Sequence, residues 1–195
     1  MNIPIIETDG YQGSREVRLD ARFLKESKVF LLGEITSDSA IELTQKLIFL
    51  ENSPSSERIK LYINSPGGEI NSGLLIYDVL QSMTKDVDIY CLGMAASMAA
   101  VILASGRKGH RHILPHSKTM IHEPLIASNI GGSATSIQHL SESIMDTKNL
   151  INEILAGHVG KTCEEIDEAT TYDNYMNAEE SVAFGLCDDI RTDVF

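Results

Sequence analysis

Short apolar blocks alternate with longer runs of helical period along this chain. Val29-Phe30-Leu31-Leu32 is a four-residue block stopped by Gly33, the signature of a buried strand. Ser37 or Asp38 then caps a predicted helix to about Leu50, with Ile41, Leu43, Leu47, Ile48 and Leu50 as its apolar positions. After the loop Asn52–Ser56, Ile59-Lys60-Leu61-Tyr62-Ile63 alternates as a strand does. Asn64-Ser65-Pro66-Gly67-Gly68 breaks it, and Leu74, Leu75, Tyr77, Val79 and Leu80 mark the next helix. Val87–Leu92 is the third strand, closed by Gly93, and the small residues Ala95, Ala96, Ala99 and Ala100 open a further helix. Lys118-Thr119-Met120-Ile121 is a fourth strand ending at His122, where Glu123-Pro124 prevents a simple run into helix. Strands alternating with helices predict right-handed βαβ units and a largely parallel sheet, an α/β fold class.

The longest periodic segment runs from Ala134 to about His158, with Ile137, Leu140, Ile144, Ile151, Ile154 and Leu155 on its stripe. At 1.5 Å per residue it spans roughly 37 Å. A helix of that length in a small domain either crosses the domain face or reaches a partner. Ala178 to Phe184, followed by Gly185 as a cap, reads as a last short helix. Residues 1–18, with Gly10 and Gly13 in a polar context, read as an arm or hairpin. Nothing in the pattern suggests a second domain, so residues 1–195 are read as one.

Composition narrows the function. The 195 residues carry a net charge of −12, which argues against a basic nucleic-acid-binding surface. No stretch of about 18 apolar residues offers a membrane span, and the N-terminal residues lack the pattern of a signal peptide. The three cysteines, Cys91, Cys163 and Cys187, have no C-x-x-C spacing, so neither a disulfide framework nor a zinc site is expected. A reducing, cytoplasmic setting fits. His110, His112 and His116 cluster in a basic loop, but Pro115 interrupts any helical ligand pair, and no metal is expected.

Three residues are candidates for nucleophilic chemistry. Ser97 stands just after a strand and a glycine, where a helix begins; on its own it is an ordinary N-cap. His122 ends a strand, at the rim where ligands of open α/β sheets sit. Asp173 lies in the irregular stretch Thr170–Tyr175 and by itself reads as a turn residue. Gly67-Gly68 lets backbone N–H groups face a cleft without a Cβ in the way, and the Met98 N–H follows the serine at a helix start. The stretch Gly93-Met94-Ala95-Ala96-Ser97-Met98-Ala99 is not the G-x-S-x-G elbow of the α/β-hydrolases.

Together these segments carry a resemblance. Leu61–Gly68, then Gly93–Ala99, then Met120-Ile121-His122-Glu123-Pro124-Leu125 resemble the successive signatures of the ClpP family of ATP-dependent Clp protease proteolytic subunits, in order, over about Val29 to Ile190. The resemblance implies a crotonase-like ββα superhelix with a protruding handle helix, here in the region of about 123–158, and an axial N-terminal arm at 1–18. It implies a serine endopeptidase with Ser97 as nucleophile, His122 as base and Asp173 as orienter, and an oxyanion hole from the N–H groups of Gly68 and Met98. It further implies two stacked heptameric rings, homomeric or mixed with a paralogous subunit, that enclose the sites and receive unfolded polypeptide. An AAA+ unfoldase of the ClpX, ClpA or ClpC type feeds them, docking at an apolar pocket of Tyr62, Tyr90, Leu92 and Leu114. No cofactor is implied, ATP being used by the partner.

The chain departs from the family pattern at several places. Glu123 stands where Gln is usual, and a carboxylate facing the histidine ring would raise its pKa. Leu125–Gly132 looks about two residues longer than the usual Gly-rich segment. Thr171-Tyr172 replaces an Asp-Arg pair that links the rings, and Ser82 stands where a pocket aromatic is frequent. Two other readings remain at this point. A crotonase-type acyl-CoA hydratase or isomerase uses the same fold without a serine nucleophile. A weakly active ring subunit would support an active paralogue.

Overall fold

The computed structural model describes residues 4–10, 13–55, 57–125 and 131–193. It opens with a hairpin, β1 (Ile5–Gly10) paired antiparallel with β2 (Gly13–Arg18), and a short helix, α1 (Leu19–Lys25). Of the expected arm at 1–18, the described residues hold these two paired strands, while residues 1–3 and 11–12 of the arm and 126–130 of the expected longer segment lie outside the described residues. The order continues β3 (Lys28–Leu32), α2 (Ser37–Glu51), β4 (Ile59–Ser65), α3 (Ile70–Ser82), β5 (Val87–Ala96) and α4 (Met98–Ala104). Then come β6 (Arg111–Ile113), β7 (Lys118–Ile121), α5 (Ala134–Val159), α6 (Cys163–Thr170), β8 (Asn174–Met176), α7 (Ala178–Phe184) and β9 (Asp189–Ile190).

The main sheet runs β3-β4-β5-β6-β9, all parallel. Strand β5 serves two neighbours on one side. Its first half pairs with β6 (Ile89 opposite Arg111) and its last three residues pair with β7 (Met94 opposite Lys118, Ala96 opposite Met120). This corrects the expectation that Gly93 closes the strand. Gly93 takes φ +83°, a conformation that costs glycine nothing, and the chain continues extended through Ala95 and Ala96, which belong to β5 and not to the next helix. His112 likewise sits in a strand, β6, rather than a loop, with Asp189 as its partner; His110 pairs with Asp88.

One face of the sheet supports the core. Val29, Leu31, Leu61, Ile63, Ile89 and Cys91 pack there under α2, α3 and α4. All seven residues of α4 are buried, as a helix apolar all round must be. Helix α2 is capped by Thr36, whose Oγ1 accepts from the Ser39 N–H, and not by Ser37 or Asp38. The opposite face carries a ladder of rings. Phe30, Tyr62, Tyr90 and His112 lie directly opposite one another on four successive strands, with centroids 5.2, 5.3 and 4.8 Å apart. Leu92 and Leu114 pack against the two tyrosines, so the four pocket candidates do share one cluster.

Helix α5 is 26 residues long, and its buried residues, Ile151, Asn152, Leu155 and Ala156, all lie in its last third. Every residue from 134 to 143 is exposed, so the first turns stand clear of this chain. Among the described residues no helix is long and apolar enough to cross a membrane.

Candidate active site

Strand register delivers the three candidates to one place. Ser97 is the first residue beyond β5 and His122 the first beyond β7, and these parallel strands end side by side, Ala96 opposite Met120. Strand β8 runs antiparallel to β7 with Ile121 opposite Asn174, so the next step outward sets His122 against Asp173. The side chains then meet: His122 Nε2 is 2.9 Å from Ser97 Oγ and His122 Nδ1 is 3.1 Å from Asp173 Oδ1. An ionised carboxylate only accepts, so Nδ1 carries the hydrogen and Nε2 presents a lone pair to the serine hydroxyl, which donates. Asp173 does lie in irregular chain, as expected, but that link is only the three residues 171–173 between the end of α6 and the start of β8.

Ser97 occupies the N-cap position of α4, yet its side chain makes no capping hydrogen bond. Its backbone sits at φ +54°, ψ −128°, a region that L-residues enter only at a cost of order 1–3 kcal/mol. The Ser97 N–H donates to Met120 O at 2.8 Å and fixes this turn against β7. An ordinary cap serine has no need of such a backbone; the strained turn aims Oγ away from the helix and at the imidazole. Like the G-x-S-x-G elbow, it is a strained turn from strand into helix with a serine at its apex.

The glycine pair packs on the same turn. An added Cβ at Gly67 would lie 2.7 Å from Ser97 Cβ and 2.6 Å from Ala96 O, and one at Gly68 would lie 2.1 Å from Ile35 O. Gly67 O accepts from the Ile35 N–H and Ile35 O accepts from the Glu69 N–H, so Gly68 is clipped between two backbone hydrogen bonds. The Gly67 N–H is held by Ser65 Oγ at 3.1 Å. Gly68 and Met98 both border a cleft of about 690 Å³ that also exposes Ser97 and His122. Its inner wall is apolar, from Ile70, Met98, Val101, Ile151 and Leu155.

Glu123 does not engage the histidine. Its Oε2 meets Lys148 Nζ at 3.1 Å, and the same ammonium reaches Asp167 Oδ1 at 2.7 Å. Hydrogen bonds first from Lys148 and then, more weakly, from Asn152 hold the Asp167 carboxyl below its ordinary range. Lys148 and Asp167 are residues that sequence reading missed. The available signal was that Lys148 is the one Lys or Arg between Lys118 and Lys161. Thr171 and Tyr172 are exposed beside the site, Tyr172 at 83%, and carry no charge.

The family model described as Clp protease matches residues 11–194, nearly the whole chain and including every residue placed in this cleft. That match carries the ββα fold as well as a peptidase activity, and this chain belongs to the Clp protease family.

Proposed function

We propose that this chain is a serine-type endopeptidase subunit in which Ser97, His122 and Asp173 form the catalytic triad. The observation that carries the reading is the bridge made by one imidazole between a strained serine and a carboxylate. Ser97 Oγ attacks the scissile carbonyl carbon while its proton passes to His122 Nε2. The N–H groups of Gly68 and Met98 receive the oxyanion. Collapse breaks the C–N bond, the departing amine takes the proton from Nε2, and an acyl-serine remains. Water, deprotonated by the same nitrogen, hydrolyses that ester and restores Ser97. Asp173 keeps the imidazole in the required tautomer and offsets the charge it gains.

A ring chamber supplied by an AAA+ unfoldase completes the reading. Its support is the apolar surface this single chain leaves uncovered: Ile137 (45% exposed), Leu140 (39%), Met145 (49%) and Leu150 (44%) on α5, and Ile48 (52%) and Phe49 (61%) on α2. These are the side chains that neighbouring subunits are proposed to cover, contiguous exposed apolar surface being the mark of an interaction site. The ring ladder with Leu92 and Leu114 is the proposed docking pocket for the unfoldase, and unfolded polypeptide is the substrate.

The test is a fluorophosphonate probe with mass mapping, alongside Ser97→Ala. The expected results are labelling at Ser97 and a loss in peptide turnover on the order of 10⁶ for the alanine variant, as in other triads. Turnover near normal in Ser97→Ala would remove the assignment. An acyl-CoA hydratase would leave the probe unreacted.

A further inference from the structure

We infer that Lys148 is a positioning residue of the catalytic triad: from α5 it holds together the two chain segments that carry His122 and Asp173. The inference rests on the triad reading above and adds a part that the triad does not contain. His122 and Asp173 lie 51 residues apart and meet through one hydrogen bond of 3.1 Å, with the Asp173 side chain 58% exposed. A single hydrogen bond does not by itself fix two segments. The fixing contacts lie one step behind it.

Lys148 Nζ reaches two carboxylates. The first, Glu123, directly follows His122 in the chain, at 3.1 Å. The second, Asp167, sits on α6 six residues before Asp173, at 2.7 Å. Backbone contacts make each arm short. The Glu123 N–H donates to Thr170 O at 2.8 Å, Thr171 Oγ1 donates to Asp167 O at 2.9 Å, and Asn174 Nδ2 donates to Ala169 O at 3.1 Å. Displacing Asp167 therefore moves the turn that presents Asp173, and displacing Glu123 moves the residue beside the imidazole. Asn152 Nδ2, one turn further along α5 and buried, donates to the same Asp167 oxygen at 3.1 Å and holds it toward the helix.

The charges leave Lys148 without a substitute. It is the one Lys or Arg between Lys118 and Lys161, so nothing else in that span can neutralise Glu123. Its side chain is 14% exposed while the two carboxylates are 41% and 53% exposed, so each pair is partly screened and the hold comes from two arms meeting on one ammonium. The ionisable groups around the imidazole are Asp173 from the β8 side and Glu123 from its own segment. Glu34 and Glu69 lie across the cleft, and Lys148 and Asp167 behind. Lys148 does not itself border the cleft and makes no contact with Ser97, so it acts through Glu123 and Asp167, of which Glu123 lies on the cleft wall, and not on substrate.

The experiment compares Lys148→Met, Lys148→Arg and Asp167→Asn in the assembled full-length protein, reading kcat and KM on a model peptide. The rate of Ser97 labelling by a fluorophosphonate, the assembled mass and the Tm are read in parallel. Misplacing a catalytic group by about 1 Å costs on the order of 10²-fold. Lys148→Met is therefore expected to lose roughly ten- to a hundredfold in kcat and in labelling rate, with KM within about twofold. Lys148→Arg, which still reaches both carboxylates, is expected to recover most of it, and Asp167→Asn, which cuts one arm, to fall between. Wild-type kcat in Lys148→Met, or Lys148→Arg no better than Lys148→Met, overturns the inference. If Lys148→Met fails to assemble, Asp167→Asn decides, and unaltered turnover there overturns it equally. Failure of Ser97 to label in the unsubstituted protein would instead sink the triad reading itself.

Discussion

Gly68→Ala offers a sharp test of the oxyanion hole, because the clash it creates can be measured. The new Cβ would fall 2.1 Å from Ile35 O and 2.8 Å from Ile35 N, against an ordinary limit of 3.4 Å. The gap of 3.4 − 2.1, about 1.3 Å, must come from backbone movement, since Ile35 is fixed by hydrogen bonds on both sides, to Gly67 O and from the Glu69 N–H. Either those bonds part or the peptide at 68 turns, and in both cases the Gly68 N–H leaves its aim. Losing one oxyanion donor costs about 10² to 10³ in kcat, roughly 2.7–4 kcal/mol. KM is expected to move little, because the charge appears only in the transition state. The φ of +152° adds a conformational cost of order 1–3 kcal/mol to stability, worth about 2–4 °C in Tm per kcal/mol for a chain of this size. Gly109→Ala is the control. It has φ +86° but open space around its Cβ, so it should lose Tm without losing kcat. Steady-state peptide hydrolysis and a thermal scan on both variants are the assays. Gly68→Ala turning over within about threefold of the parent would refute the donor role, as would an equal loss of kcat in Gly109→Ala.

Two further outcomes are expected. Burial, and then the charge of Arg111, hold His158 below its ordinary pKa of 6.5, with Tyr77 OH 3.2 Å from its Nε2. The unfolded chain takes that proton first, so the stability His158 contributes is present above pH 6.5 and is lost as pH falls through the lower folded value. Thermal scans against pH should show a decline there that His158→Gln flattens, and an unchanged slope in the variant would count against it. For assembly, Thr171-Tyr172 supplies no ion pair and each chain carries −12, so rings are expected to stack weakly and to shift toward double rings as salt screens repulsion. Light scattering on the parent and on Ile137→Asp with Leu140→Asp tests this. A salt-insensitive double ring at nanomolar concentration, or one untouched by the two aspartates, would refute it.

Much of this was legible in the residues. Strand β7 and helix α7 fall at their expected bounds, and α5 within a residue, because β-branched alternation and an i, i+3, i+4 stripe leave little choice. Gly93 misled because a glycine usually ends a strand. Here it turns against the Asn64 side chain, 3.2 Å from where a Cβ would be, and β5 carries on to take up β7. Helix α6 did announce itself, through the capping box of Thr162 and Glu165, but its eight residues span barely two turns of period. Strand β8 has three residues and no pattern at all; only pairing with β7 makes it a strand. The three triad candidates could be named from a resemblance, but their meeting depends on the Ala96–Met120 and Ile121–Asn174 registers, which no local signal records. The same is true of Lys148, whose partners lie 25 residues before it and 19 after.

The placement of Asp173 on the far side of α5 also sets an order of events during synthesis. A ribosome that has made the chain as far as His122 has supplied the nucleophile, the base and both glycines, but no carboxylate for the imidazole. That group arrives 51 residues after His122, with β8, which pairs against the end of β7. On the proposed mechanism a nascent or prematurely terminated product is a peptidase lacking its orienter. A product cut short between His122 and Asp173 would keep serine and imidazole without the carboxylate that fixes the tautomer.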